Sequence, residues 1–291
     1  MPAEKSARRR GVLLVLAATV LWSLAGLFAR LVAHLDVWTV LGWRALLGSA
    51  SISIVGLVEW RRGRLDNPFA FGRLSPVIAL LAMVAISAYA ASVMTTTIAD
   101  VMIIYATLPF VAAAIGYAVN REPVSSRTLV ASVAALAGVV VMVAAGLGSG
   151  RLLGQALSAL MTIAFAGMVV LQRRQPGASM IAINAIGALG SGLFGLAISP
   201  HAAINLYDFA ILFAFGLTTI GLAFVLFMEG AKFIPSAEAG LISLLDVVLG
   251  PIWVFLAFGE NPGELTLVGG AIVLAAAVWR IAPDLSQEHV V

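Results

Sequence analysis

The chain has 291 residues, of which 62% are hydrophobic and 11% charged, with a mean hydropathy of +1.06. Soluble domains run at about 45–50% apolar and about 25% charged, so much of this surface must face lipid. Without cysteine there is no disulfide or thiolate metal site, and a net charge of +3 reads as the basic loops of a membrane protein, not a nucleic-acid footprint.

Lys5, Arg8, Arg9 and Arg10 precede an apolar run from Gly11 to Ala29, within a segment at 11–33. That run is too long for a secretory signal, and another apolar run follows at once, so a retained first helix is expected. Crossing about 30 Å of hydrocarbon takes about 20 helical residues. Nine more segments of that kind follow, at 37–59, 74–94, 98–119, 127–147, 152–172, 179–199, 206–229, 236–258 and 264–282. Turn-forming breakers separate them, among them Arg121-Glu122-Pro123, Gly148-Ser149-Gly150, Gln175-Pro176-Gly177 and Glu260-Asn261-Pro262-Gly263. No connection is long enough for a soluble domain. The expected fold is an all-α integral membrane protein of ten transmembrane helices.

Lysine and arginine orient the chain. With the N-terminus inside, 14 of the 17 basic residues fall on the cytoplasmic side. Arg30 and Arg151 fall outside, and Arg44 lies within a helix. Both termini are therefore expected in the cytoplasm.

The segment at 98–119 contains Pro109, and the segment at 236–258 contains Pro251. A shift of 138 residues aligns the two, setting Ala99 on Ala237, Asp100 on Glu238 and Glu122 on Glu260, with six of the 42 positions from 89 to 130 identical. This predicts a five-helix repeat, residues 1–148 and 149–291, joined near residues 148–154. Five is odd, so the halves must run in opposite senses across the membrane. Proline in a helix interior frees a carbonyl, that of Tyr105 for Pro109 and of Val247 for Pro251. Breaks are expected at both prolines, and because Pro251 lies one turn later than the aligned position, at different depths. Such interrupted helices line cargo sites in transporters of repeated halves; a simple kink is the other reading.

Several residues bear chemistry. Asp246 sits mid-helix, where an ionisable group costs on the order of 3 kcal/mol, so it should face protein or water. It is a candidate for an ammonium or a proton, or a structural partner. Arg44 either snorkels outward, pairs structurally or binds a carboxylate. Asp100 and Glu238 start their helices and read as dipole-favoured caps. Glu229 closes its helix as a gate or surface charge. His34 and Asp36 lie where either can pair with Arg30, and Glu122 and Glu260 are structural helix-end charges. Trp22, Tyr89, Tyr105, Phe165, Phe224 and Trp253 lie near mid-segment, where they either stack on an aromatic cargo or pack between helices. Ser23, Thr107, Ser158, Thr162 and Gln172 offer polar lining or interhelical hydrogen bonds. The pairs Gly187/Gly190 and Gly192/Gly195 are weak packing signals.

Leu21-Trp22-Ser23, residues 104–123 with Pro109 and Glu122, and residues 246–253 running on to Gly259-Glu260 carry a resemblance. In that order and spacing the chain resembles the drug/metabolite transporter superfamily, in its ten-helix EamA branch, and looks most like the aromatic amino-acid exporters called YddG. The resemblance implies ten helices around a central cavity, alternating access, and export of amino acids with large neutral or aromatic side chains across the bacterial inner membrane. A broad metabolite or cationic drug exporter is the alternative. The substrate-binding set expected on this basis is Trp22, Ser23, Tyr89, Tyr105, Phe165, Phe224, Asp246 and Trp253. No phosphate loop, zincin motif or nucleophile elbow is present, so no catalytic residue, metal or cofactor is expected. The expected partners are the cargo and the lipid bilayer, with protons left open, no nucleic acid, and a monomeric chain.

Overall fold

The computed structural model describes residues 2–63, 67–96, 98–143, 152–200, 203–259 and 264–286. Glu260, Arg151, the side chain of Asp100 and residues 148–151 of the expected join lie outside the described residues.

Among the described residues the protein is helical throughout. The helices are α1 (Pro2–Ser23), α2 (Ala25–Leu31), α3 (Val37–Arg61), α4 (Ser75–Thr95), α5 (Ile98–Tyr105), α6 (Leu108–Asn120), α7 (Ser126–Val143), α8 (Leu152–Gln172), α9 (Met180–Ile198), α10 (Leu206–Phe215), α11 (Ala223–Gly230), α12 (Ser236–Ser243), α13 (Leu245–Phe258) and α14 (Glu264–Ser286). A π-helical segment, Gly216–Leu222, joins α10 to α11. Seven stretches among the described residues are long and apolar enough to cross a membrane: Ser6–Leu31, Val37–Arg61, Ser75–Ser92, Leu152–Gln172, Met180–Ile198, Leu206–Gly230 and Ser236–Phe258. Leu108–Asn120, Ser126–Val141 and Leu267–Arg280 are shorter apolar helices.

Local chemistry sets the ends. Asp36 Oδ1 accepts from the backbone N–H groups of Trp38 and Thr39, both at 3.0 Å, and so starts α3. Asn205 starts α10 by accepting from Asp208 N–H at 2.8 Å. α6 ends on Arg121 in the left-handed region at φ 56°, and α13 on Gly259 at φ 68°.

The interrupted helices differ from expectation. α5 ends at Tyr105 and α12 at Ser243, positions 138 residues apart, so both halves break at one aligned place. Pro109 stands in the first turn of α6, where its missing N–H costs nothing. Pro251 lies inside the continuous helix α13, and the break falls seven residues earlier, at Leu244. Asp246 thereby comes into the first turn of α13.

The bundle packs α3 on α9 and on the π-segment, α4 on α8 and α9, α7 on α14, α1 on α11 and α13, and α6 on α8 and α12. Glycines allow the close crossings. A Cβ on Gly195 would meet the Gly42 nitrogen at 2.8 Å and the Trp38 carbonyl at 3.1 Å. Gly11 and Gly230 meet in the same way across α1 and α11. Gly187 and Gly190 abut α4, and Gly192 abuts Leu46 of α3, so the glycine pairs of α9 are contact positions. Since backbone blocks the added methyl, Gly195→Ala is expected to destabilise the protein by about 1–3 kcal/mol. Thermal unfolding in detergent measures this; an unchanged midpoint would mean that α3 and α9 can move apart freely.

Candidate functional site

A cavity of about 150 Å³ lies where many of these helices converge. Trp22 of α1, Arg44 of α3, Tyr89 of α4, Met102 and Tyr105 of α5, Phe165 of α8, Thr219 of the π-segment, Phe224 of α11 and Asp246 of α13 line it. Six of the eight expected binding residues therefore share one chamber. Ser23 and Trp253 are outside its lining. Trp253 Nε1–H donates to Ser23 Oγ at 2.7 Å, and Ser23 Oγ–H donates to the Val20 carbonyl at 2.6 Å. The pair joins α1 to α13 behind the chamber.

Aromatic contacts shape one wall. The Trp22 ring centroid lies 5.8 Å from Phe165, 5.5 Å from Phe224 and 4.9 Å from Phe227. The first two contacts are edge-to-face, the geometry favoured by ring quadrupoles. Trp22 Nε1–H donates to the Thr219 carbonyl at 2.7 Å. A π-turn displaces the regular helical ladder, and here one of its carbonyls serves the indole. This supplies the partner that a tryptophan at membrane depth needs.

Two opposite charges face the chamber. The Asp246 Oδ1 atom is buried and has no hydrogen-bond partner. The Arg44 Nε is also buried and unpartnered, and its guanidinium lies 4.5 Å from the centroid of the Phe215 ring. Arg44 is thus turned inward and does not snorkel. Unpaired charges are expensive in a low-dielectric interior. A carboxylate and a guanidinium opening on one aromatic chamber offer complementary charges to a small guest with an ammonium and a carboxylate.

The other singled-out residues lie outside the chamber lining. Ser158 and Thr162 bond to carbonyls one turn back in α8, those of Gly154 and Ser158, and so neither line the chamber nor bridge helices. Thr107 likewise donates to Ile104 O. Gln172 is buried with both side-chain polar atoms unpartnered, away from the chamber. His34 Nε2 lies 3.1 Å from Asp208 Oδ1, a partner not foreseen from its chain neighbours. Glu238 is more than a cap: it is fully buried, with Arg8 Nη2 at 2.9 Å and Arg280 Nη2 at 2.8 Å. Glu122 pairs with Arg173 at 3.1 Å and accepts from the Ser236 N–H at 3.1 Å, so the end of α6 caps α12. Glu229 pairs with Lys232 at 2.6 Å.

Because Ser23 serves Trp253 rather than the chamber, Ser23→Ala is expected to cost about 1–3 kcal/mol by orphaning the indole N–H. The unfolding temperature should fall while guest affinity holds. A loss of affinity at unchanged stability would bring Ser23 back into the site.

The EamA-like transporter family matches this sequence twice, over residues 9–144 and 152–281. A solved structure titled "Crystal structure of protein" is similar over 96% of this chain and 98% of its own, with a TM-score of 0.82 at 17% identity, a likeness of fold. No curated protein sequence matches the chain.

Proposed function

The chain belongs to the EamA-like transporter family, and on that premise we propose that it is a secondary transporter exporting amino acids with large neutral or aromatic side chains across the bacterial inner membrane by alternating access. One observation carries the substrate class: unpartnered Arg44 and Asp246 atoms share an aromatic-walled chamber. Arg44 receives the carboxylate, Asp246 the ammonium, and Trp22, Tyr89, Tyr105, Phe165 and Phe224 the side chain. The volume of about 150 Å³ lies below the roughly 300–1,000 Å³ of drug-sized sites, which favours a small zwitterion over a sugar nucleotide. A cationic drug would find Asp246 and the rings, but Arg44 would repel it.

The transport cycle follows from the repeat. Seven long and three shorter apolar helices among the described residues support ten spans, and the distribution of lysine and arginine supports cytoplasmic termini. The packing supports two inverted halves, residues 1–148 and 149–291. The contact of α3 with the π-segment is matched by that of α4 with α9, that of α1 with α11 by that of α4 with α8, and that of α1 with α13 by that of α6 with α8. Tyr105 and Asp246, beside the aligned breaks at Ala106–Thr107 and Leu244, line the chamber from opposite halves, so rocking one half against the other would open it to either side.

Reconstitution into liposomes tests this reading. Labelled phenylalanine should exchange against internal phenylalanine, and charged sugars should not compete. If no amino acid moves, with or without a pH gradient, the reading is wrong. Exchange that needs no gradient, with net flux that does, identifies protons as the coupling ion.

A further inference from the structure

We propose that a second, larger cavity is another binding station for the same zwitterionic cargo, and that Phe224 is the wall between the two. This rests on the reading of the central chamber given above. The second cavity has a volume of about 510 Å³ and lies among α1, α3, α9 and α11. Phe224 lines both cavities. Its ring packs edge-on against Trp22 at 5.5 Å and Phe165 at 6.4 Å, closing the passage with the aromatic wall of the chamber.

The polar groups of this cavity repeat the logic of the first. Glu229 and Lys232 satisfy each other at 2.6 Å. Glu59 lies 4.0 Å from Arg62. Arg10 has the face of Phe233 at 5.6 Å and no ion pair among the described residues. Asn184 is 4% exposed, and its Nδ2 donates to the Met180 carbonyl at 2.8 Å. Its Oδ1 is buried without a partner. Leaving such an acceptor unsatisfied costs about 1–3 kcal/mol, so a retained orphan calls for an occupant. Among the described residues this leaves a cation without an ion pair, Arg10, and an acceptor without a partner, Asn184 Oδ1, the complement that Arg44 and Asp246 provide in the chamber. A carboxylate would meet Arg10 and an ammonium Asn184 Oδ1, with Met180, Met228 and Phe224 against the apolar body.

Phe224 also stands where the wall can move. It follows the π-segment by two residues, and the same segment holds Trp22 through the Thr219 carbonyl. A change of helical register there shifts both rings of the wall together.

Equilibrium binding of labelled phenylalanine to the purified full chain decides the matter. The wild type should saturate at two equivalents. Asp246→Asn and Asn184→Leu should each leave one, and Asn184→Leu should hold stability, since removing the orphaned Oδ1 offsets the loss of the Nδ2–H bond to the Met180 carbonyl. Saturation of the wild type at one equivalent, lost in Asp246→Asn and kept in Asn184→Leu, overturns the second station while leaving the central one standing. Absence of binding to the wild type removes the central reading and this one with it. Phe224→Ala, which removes apolar contact from both stations, should weaken binding at each and yet speed exchange at saturating cargo several-fold; unchanged or slower exchange at saturation refutes the wall.

Discussion

Asp246→Asn is expected to lower cargo affinity about 100-fold and to leave the protein folded. A charge-assisted hydrogen bond is worth up to about 3 kcal/mol, and each 1.4 kcal/mol is a factor of ten. Asparagine keeps the shape and an oxygen but loses the counter-charge for an ammonium. Asp246 Oδ1 has no protein partner to forfeit, so stability should hold or rise. Arg44→Gln should weaken binding comparably by removing the counter-charge of the carboxylate, and Arg44→Lys should restore only part of it, because an ammonium lacks the planar fork. Binding and exchange of labelled phenylalanine measure all three. Wild-type affinity in Asp246→Asn would take that residue out of the site. A variant that still binds but no longer responds to a pH gradient would identify Asp246 as the proton carrier.

Glu238→Ala should unfold at a much lower temperature, with a loss of about 3–5 kcal/mol. Glu238 is fully buried, and Arg280 is 8% exposed. Arg8 Nη2 reaches both carboxylate oxygens at 2.9 Å. Arg280 adds Nη2 at 2.8 Å and holds Thr128 Oγ1 through Nε at 2.9 Å. The cluster ties α1 to α12 and α14, near the two ends of the chain. Removing its anion strands a buried guanidinium. That cost exceeds the net worth of the pair, because the desolvation already incurred is no longer offset. The double variant Glu238→Leu/Arg280→Met should therefore recover part of the loss. A single variant that melts like the wild type would show that water reaches Arg280 freely. Against total stabilities of about 5–15 kcal/mol, the expected loss is large enough to reduce the yield of folded protein.

Apolar length pointed to the membrane class and to the limits of the seven long segments among the described residues, because a span must bury about 20 residues of backbone that lipid cannot hydrogen-bond. The expected segments at 37–59 and 206–229 appear as Val37–Arg61 and Leu206–Gly230. Of the aromatic residues read as mid-segment, Trp22, Tyr89, Tyr105, Phe165 and Phe224 meet in one chamber, and Trp253 does not. The side of the helix was not legible. Trp22 and Ser23 are neighbours in the chain, yet one lines the chamber and the other bonds Trp253 behind it. In a soluble helix the apolar stripe would have told them apart. In lipid both faces are apolar, and that signal vanishes. Arg44 was ambiguous for the same reason, since nothing local says whether a long cation turns outward or in. The link from Arg8 to Glu238 spans 230 positions and has no local trace. The π-segment adds residues to a turn without changing composition. The proline rule placed a break correctly at Pro109 and misplaced the one assigned to Pro251, because in the second half the turn opens at Leu244, where it brings Asp246 to the chamber. Composition determined that the chain is a membrane protein and which segments are apolar enough to cross; only the tertiary packing decided which face of each helix meets the others, and so which ionisable groups stand unpartnered around the chamber.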